Sequence, residues 1–386
     1  MSSLREDCDY IVSQSIKTCK PDRLVIEALK DFKRPKGRLI LIAIGKAAFN
    51  MAEGAVSALG DIIDSGIVIT KYGHSGKKAL PGSITVYEAG HPIVDENSIM
   101  ATNEVLKMTE NLSCDDEVLF LVSGGGSALF ESPKVPFEKL REITERKLKE
   151  GADIYELNAA RRELSNVKGG RFGEHCKPAH ITALILSDVL GDKIDVIASG
   201  PALGDNVSTV IIGNINLLCE AARVAAIHIG YKAEIVRTDL TGFAVDAGRE
   251  LADKAKKVVN CCEAYTNTDR EYIGRAFIYG GETTVKVTGA GLGGRNMEMA
   301  LSAALSIEGM EKVAVFSVGS DGTDGPTDAA GGFVDGDTAS ILGRESIEAA
   351  LKNNDSYNEL KKVGGLVITG PTNTNINDIS VVLIKN

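Results

Sequence analysis

Runs of apolar residues too short for buried helices recur along the first half of the chain, each closed off by turn-forming residues. Arg38 to Ile44 (RLILIAI), Ser65 to Thr70, Ser83 to Glu88, Glu117 to Val122 and Ile181 to Leu186 therefore read as strands. Helical spacing fills the gaps. It runs from Ser3 to Cys19, from Asp22 to Lys33 after the break at Pro21, from Gly45-Lys46 through Leu59, and from Asp95 to Asn111 behind Gly90-His91-Pro92. Two more helices are predicted near Pro136 to Glu150 and Asp153 to Val167, the second ending at Lys168-Gly169-Gly170. Strand and helix in alternation imply a parallel sheet covered on both faces, so the fold class is α/β with a doubly wound sheet.

Beyond Ser199-Gly200-Pro201 the pattern turns loop-like through Ser208, which marks a domain junction, and a long helix then reaches Gly230. A strand near Ala233 to Arg237 and a helix from Gly242 to Cys261 follow. Arg275 to Val287 reads as two strands around Gly280-Gly281-Glu282, an antiparallel element of a mixed sheet. Gly289 to Gly294 leads into a helix. Lys312 to Val318 is a strand, a helix spans Asp337 to Leu351, and strands near Leu366 to Thr369 and Ile379 to Ile384 end the chain. Residues 1–205 and 206–386 are the expected domains, with the last strand free to return to the first.

A chain of 386 residues exceeds what one hydrophobic core usually serves, in keeping with two domains. A formal net charge of −10 and the lack of any tryptophan argue against a nucleic-acid or acidic-membrane surface. The seven cysteines form no CxxC pair, so neither structural zinc nor a disulfide framework is expected. Charge near the N-terminus and the lack of a membrane-length apolar run predict a soluble cytoplasmic protein.

The chemistry concentrates where predicted strands end. Ser123, Gly124, Gly125, Gly126 and Ser127 follow the strand ending at Val122, and backbone N–H groups unobstructed by Cβ atoms at a helix start suit an anion. Any one such loop can equally be a plain turn; recurrence after several strands favours phosphate. Lys46 also follows a strand and opens a helix, although no P-loop surrounds it. Gly289, Gly291 and Gly294 match G-x-G-x-x-G, a weak dinucleotide signal, and Arg295 directly after them fits a phosphate better than a ribose diol. Asp321 and Asp324 lead a carboxylate cluster that reads either as Mg²⁺ ligation or as a solvated acidic turn. Asp188 and Asp192 end another strand. Cations at loop starts, glycine cradles and strand-end acids together describe phosphoryl transfer.

The stretches IGKAAFNMAEGA (44–55), GHPIVDENS (90–98), SGGGSALFESP (123–133), LNAARRELSNVKGGR (157–171), LILSDVLGD (184–192), IASGPALGD (197–205), GGETTVKVTGAGLGGRNMEMAL (280–301), SVGSDGTDGPTDAAGG (317–332) and TGPTNTNINDI (369–379) resemble the glycerate 2-kinases. This is the class II glycerate kinase family, whose C-terminal domain is called MOFRL. Leu190, Met297 and Asn373 depart from its Pro, Gln and Gly, which bears on fine substrate preference.

The resemblance implies a Rossmann-like domain, a smaller α/β domain and an active site in the cleft between them. It implies ATP and Mg²⁺, or another divalent cation, used to convert D-glycerate to 2-phosphoglycerate; a homodimer is the oligomer considered, which sequence alone does not fix. Lys46 and Arg295 match the residues regarded as catalytic. The residue-level reading adds Asp188 as base or positioning acid, and Asp321 and Asp324 as metal ligands. Ser123 to Ser127, Lys168, Glu282 and Asn296 are the expected substrate or ATP contacts. The rival readings are an NAD(P)-dependent hydroxy-acid oxidoreductase and a non-catalytic nucleotide- or phosphate-binding protein.

Overall fold

The computed structural model describes residues 3–76, 78–149, 159, 161–260 and 271–386. Strands β1 (Leu39–Ile44), β2 (Ser65–Lys71), β3 (Ile84–Ala89), β4 (Glu117–Val122), β5 (His180–Leu186) and β6 (Val207–Gly213) form one sheet in the order β3-β2-β1-β4-β5-β6. Every pairing in it is parallel. All six residues of β1 are buried, as a central strand covered on both faces requires. The strand order reverses between β1 and β4, and loops leaving the C-terminal ends of those two strands open the crevice where open α/β sheets bind ligands. Behind β4, Phe120, Phe130 and Phe172 pack with ring centroids 4.9 to 5.8 Å apart. That cluster seats Phe130 just beyond the glycine loop.

A second sheet contains β7 (Tyr231–Leu240), β8 (Gly274–Gly281), β9 (Val313–Gly319), β10 (Gly331–Asp335), β11 (Leu366–Val367) and β12 (Asp378–Lys385), in the order β11-β10-β9-β12-β8-β7. Only β7 and β8 run parallel; the other pairings are antiparallel. Helices Ala244–Asn260 and Arg295–Ile307 supply small residues to its core, among them Ala247, Ala300 and Ala304, which let helix and sheet approach closely. Among the described residues no helix is long and apolar enough to cross a membrane.

The chain divides into two compact units, one formed by Lys20–Asn214, the other by the helix Leu4–Thr18 together with Ile215–Asn386. The expected division at 205 and 206 is thus displaced, because β6 completes the first sheet and the N-terminal helix packs with the second half. Asp7 explains that last placement. Its buried carboxylate accepts from the Tyr231 hydroxyl at 2.7 Å and lies 2.8 Å from Lys385 Nζ, tying the helix to β7 and β12.

Three other expectations change. The hairpin over Arg275 to Val287 is instead the single strand β8, whose antiparallel partner is β12, a hundred residues later. β12 does not return to the first unit: it lies between β9 and β8 inside the second sheet. β6 begins at the end of the loop-like segment and takes the residues read as the start of the long helix, which itself begins at Ile215. Residues 153–158 and 160 of the predicted helix over Asp153 to Val167 lie outside the described residues, as do Cys261 and Cys262.

Asp7→Ala leaves Tyr231 and Lys385 facing an empty acceptor site, and losing one partner of a buried pair costs about 3 kcal/mol. Thermal unfolding should show a marked fall in Tm for this variant. Asp9→Ala, which removes only the exposed partner of Arg5, should leave it nearly unchanged.

Candidate active site

In the Lys20–Asn214 unit the turns after β1 and β4 are locked together. Gly45 has φ of +114°, and a Cβ there would sit 2.2 Å from Ser123 Oγ, so only glycine fits. Lys46 N–H donates to Gly124 O at 2.9 Å. The fully buried Ser123 hydroxyl donates to Ile44 O and accepts from Ala47 N–H at 3.1 Å. Ser123 was expected to hold ligand; its hydroxyl is spent inside the protein, bracing one loop against the other. Ser127 shares a hydrogen bond with Ser199 at 2.9 Å and is partly exposed.

Gly125, with φ of +87°, begins a one-turn helix over Gly126–Leu129 whose first N–H groups have no intrahelical acceptor. A Cβ on Gly125 would lie 2.9 Å from the His91 ring and 3.2 Å from Lys46 Cγ. The bare backbone therefore brings the glycine loop, Lys46 and His91 into one cluster. Burial and the nearby Lys46 charge push the His91 imidazole down to about 4, so it is neutral at physiological pH. Among the described residues the Lys46 ammonium has no hydrogen bond or ion pair. Half-buried Asp188 completes the group: burial raises its carboxyl above the usual range, while Lys46 draws it back. Asp192 is taken up by Asn214, whose amide donates to it at 2.5 Å.

Lys168, an expected ligand contact, is fully buried. Its ammonium donates to Phe130 O at 2.6 Å and Ala198 O at 3.3 Å, and burial pulls it down to about 8. It anchors the far end of the glycine-loop helix and does not meet the surface.

The other unit gathers a second cluster. Arg295, at the first position of its helix, donates through Nε and Nη2 to Asp378 at 2.5 and 3.0 Å, and its Nη1 pairs with Glu282 at 2.8 Å. Burial raises Asp378 to about 6, against the pull of Arg295; for Arg295 burial acts downward, but the Asp378 hydrogen bond and charge prevail, so both stay charged at neutral pH. Those contacts use three of the guanidinium's five N–H groups. Asn296 is buried, accepts from Ser317 Oγ at 2.5 Å and reaches Asp324 at 3.5 Å. It positions its neighbours and offers little to a ligand.

The acids expected to hold a metal differ in availability. Asp324 is buried; its Oδ2 accepts the Met297 N–H at 2.8 Å and its Oδ1 faces Asn296, so it caps the helix that Arg295 begins. Burial lifts its carboxyl to about 7. Partly exposed Asp321 accepts from Thr323 N–H at 3.0 Å. No group of three or more His, Cys, Asp or Glu side chains suited to a metal occurs among the described residues.

The glycines of the dinucleotide-like motif have another purpose. Cβ atoms at Gly289 and Gly291 would fall 2.3 and 2.6 Å from Asn353 O, and one at Gly294 would fall 2.3 Å from Asp324. These residues are bare so that this segment can pack against protein, not against a pyrophosphate.

A family model described as a domain of unknown function (DUF4147) matches residues 7–216, and the MOFRL family model matches residues 275–378. A D-glycerate 2-kinase of Thermotoga maritima is 46% identical, with 99% of each chain covered. The chain belongs to the glycerate 2-kinase family. A glycerate 2-kinase of Pyrococcus horikoshii is 38% identical over 99% of this chain and 98% of its own. One relative, from Agrobacterium vitis, carries the name of a hydroxypyruvate reductase and is 34% identical over 99% and 95%. The crystal structure of a Thermotoga maritima glycerate kinase superposes with a TM-score of 0.91, at 45% identity and 99% coverage of both chains.

Sequence reading of this glycerate 2-kinase family member missed three residues. His91 stood in the matched GHP stretch but lacked paired spacing, and Asp378 stood in the matched NDI stretch without a visible partner. Arg161 stood in the matched LNAARRELSNVKGGR stretch with nothing to set it apart from Arg162.

Because His91 binds its proton more weakly folded than unfolded, the unfolded chain takes up more protons between about pH 4 and 6.5. Stability should therefore decline as pH falls through that window. Urea unfolding midpoints should decline less steeply there in His91→Gln; an unaltered slope would exclude His91 as a contributor.

Proposed function

We propose that this chain transfers the γ-phosphoryl group of ATP to the 2-hydroxyl of D-glycerate, giving 2-phosphoglycerate and ADP. The observation that carries this reading is the cluster at the β1/β4 reversal. There an ammonium with no hydrogen bond or ion pair among the described residues stands beside N–H groups exposed by glycine, at the place where α/β sheets bind phosphates.

Such a site does little covalent chemistry; it neutralises and positions. Lys46 and the amides of Gly124 to Ser127 offset charge on the donor's phosphates. The glycerate 2-hydroxyl oxygen attacks the γ-phosphorus as the bond to the β-phosphate oxygen breaks, ADP leaves, and the hydroxyl proton passes to Asp188. Burial raises Asp188 toward the operating pH, the direction that improves a carboxylate as a proton acceptor. In the other unit Arg295 keeps two N–H groups for an anionic group, with Glu282 and Asp378 fixing its plane.

A divalent cation, Mg²⁺ by expectation, would neutralise the nucleotide's phosphates. Asp324 does not suit it, since both of its oxygens are engaged at the helix start, whereas Asp321 could offer one carboxylate. The steps above accordingly rest on this chain's own cations and amides. The oxidoreductase reading loses its support, since its glycine fingerprint is filled by protein.

One charged contact made in the transition state is worth about 3 kcal/mol, so Lys46→Ala should lower kcat about 100-fold or more without loss of fold. Arg295→Lys keeps the charge but not the planar fork and should also lower kcat. Steady-state rates with ATP and D-glycerate check both, and a Lys46→Ala enzyme turning over near the wild-type rate would remove the ammonium from the mechanism.

A further inference from the structure

The Lys20–Asn214 unit contains a cavity of ≈ 680 Å³ that the residues assigned above do not line. Its walls run directly from the phosphate-facing cluster. Pro92 to Asn97 continue from His91 on one side, and Glu131 follows the glycine-loop helix and Phe130 on the other. Ile93, Val94, Phe137 and Leu140 make much of the surface apolar.

Asp95, Glu96, Glu131, Arg141 and Arg161 are the charged residues of that wall, and Glu131 and Arg161 differ from the rest. Glu131 is 1% exposed, and its Oε1 is buried without a hydrogen-bond partner among the described residues. A buried acceptor left unsatisfied costs about 1–3 kcal/mol, so this oxygen calls for a donor from whatever fills the cavity. Arg161 is half-buried, and neither a hydrogen bond nor an ion pair holds its guanidinium among the described residues. Its charge acts on both Glu131 and His91.

The cavity's volume lies in the range of sites for drug-sized ligands, and a three-carbon hydroxy acid would leave most of it empty and its apolar walls uncovered. A nucleoside matches on each count: a flat apolar base for the walls, hydroxyl and amine hydrogens for Glu131, and attached phosphates for Arg161. We propose that this cavity holds the nucleoside portion of the phosphoryl donor, with Glu131 accepting one of its hydroxyl or amine hydrogens and Arg161 taking a phosphate oxygen. The assignment rests on the kinase reading for the donor's identity, but its test does not require turnover.

The chain has no tryptophan, so Ile93→Trp, at a rim position that is 70% exposed, introduces a single indole as a reporter. ADP titrated into that variant should change the indole emission saturably, whereas inorganic phosphate or D-glycerate should not. Calorimetry should find ADP bound at least tenfold more weakly by Arg161→Met, with KM for D-glycerate within twofold of wild type and an unchanged Tm. Glu131→Gln, which keeps the shape and exchanges part of the acceptor for a donor, should weaken ADP severalfold. An indole silent to ADP while calorimetry records ADP binding would overturn the assignment. So would a raised KM for D-glycerate with unaltered ADP affinity, which would make the cavity the acceptor's. ADP bound with this residue dependence in a protein that does not phosphorylate glycerate would support the cavity assignment and count against the kinase reading alone.

Discussion

The pairing of β1 with β4 is the constraint from which the rest of the first unit follows. With β2 and β3 on one side of β1 and β5 and β6 beyond β4, the chain must reverse its direction of growth between these two strands. Loops that leave adjacent parallel strands in opposite senses cannot fill the space between them. Gly45 and Ser123 convert that opening into a rigid rim: a positive φ on one side, a buried hydroxyl bridging to the other. Lys46 and the glycine loop are held by backbone and by a side chain that never meets solvent, so their geometry is set before any ligand arrives.

The second unit arranges its cation differently. Arg295 owes its place to a helix start, and the buried carboxylates of Asp324 and Asp378 are themselves organised there, one on the helix's N–H groups and one on the guanidinium. Burying these acids is unfavourable unless each is hydrogen-bonded, and they are. Asn296 and Ser317 tie the two acids' surroundings to β9, so the guanidinium is oriented by the sheet as well as by the helix.

How much of this could be read beforehand follows from how local each signal is. β1, β4 and β5 announce themselves because strands buried on both faces are continuous apolar runs. β6 has an alternating, half-exposed pattern at a sheet edge, and β10 opens with two glycines, so neither resembles such a run. Gly280-Gly281 looked like a turn, yet β8 runs through it because its partner β12 comes from the end of the chain, which no local window contains. The places of Lys46 and Arg295 were legible, since a cation directly after a glycine and ahead of a helix is visible in the residue order. The structural duties of Ser123, Lys168 and Asn296 were not, because they depend on Ala47, Phe130 and Ser317, partners that only the fold brings near. The relatives add the family, and within it the packed glycines of 289–294 explain why a dinucleotide-like pattern can occur without a dinucleotide.

The decisive chemical outcome is a phosphoryl group placed on the secondary hydroxyl of a three-carbon acid. Incubating the protein with ATP, Mg²⁺ and D-glycerate and resolving the products by phosphorus NMR should give 2-phosphoglycerate and ADP in equal amounts. Formation of 3-phosphoglycerate, or consumption of NAD(P) with glycerate while ATP remains intact, would contradict it.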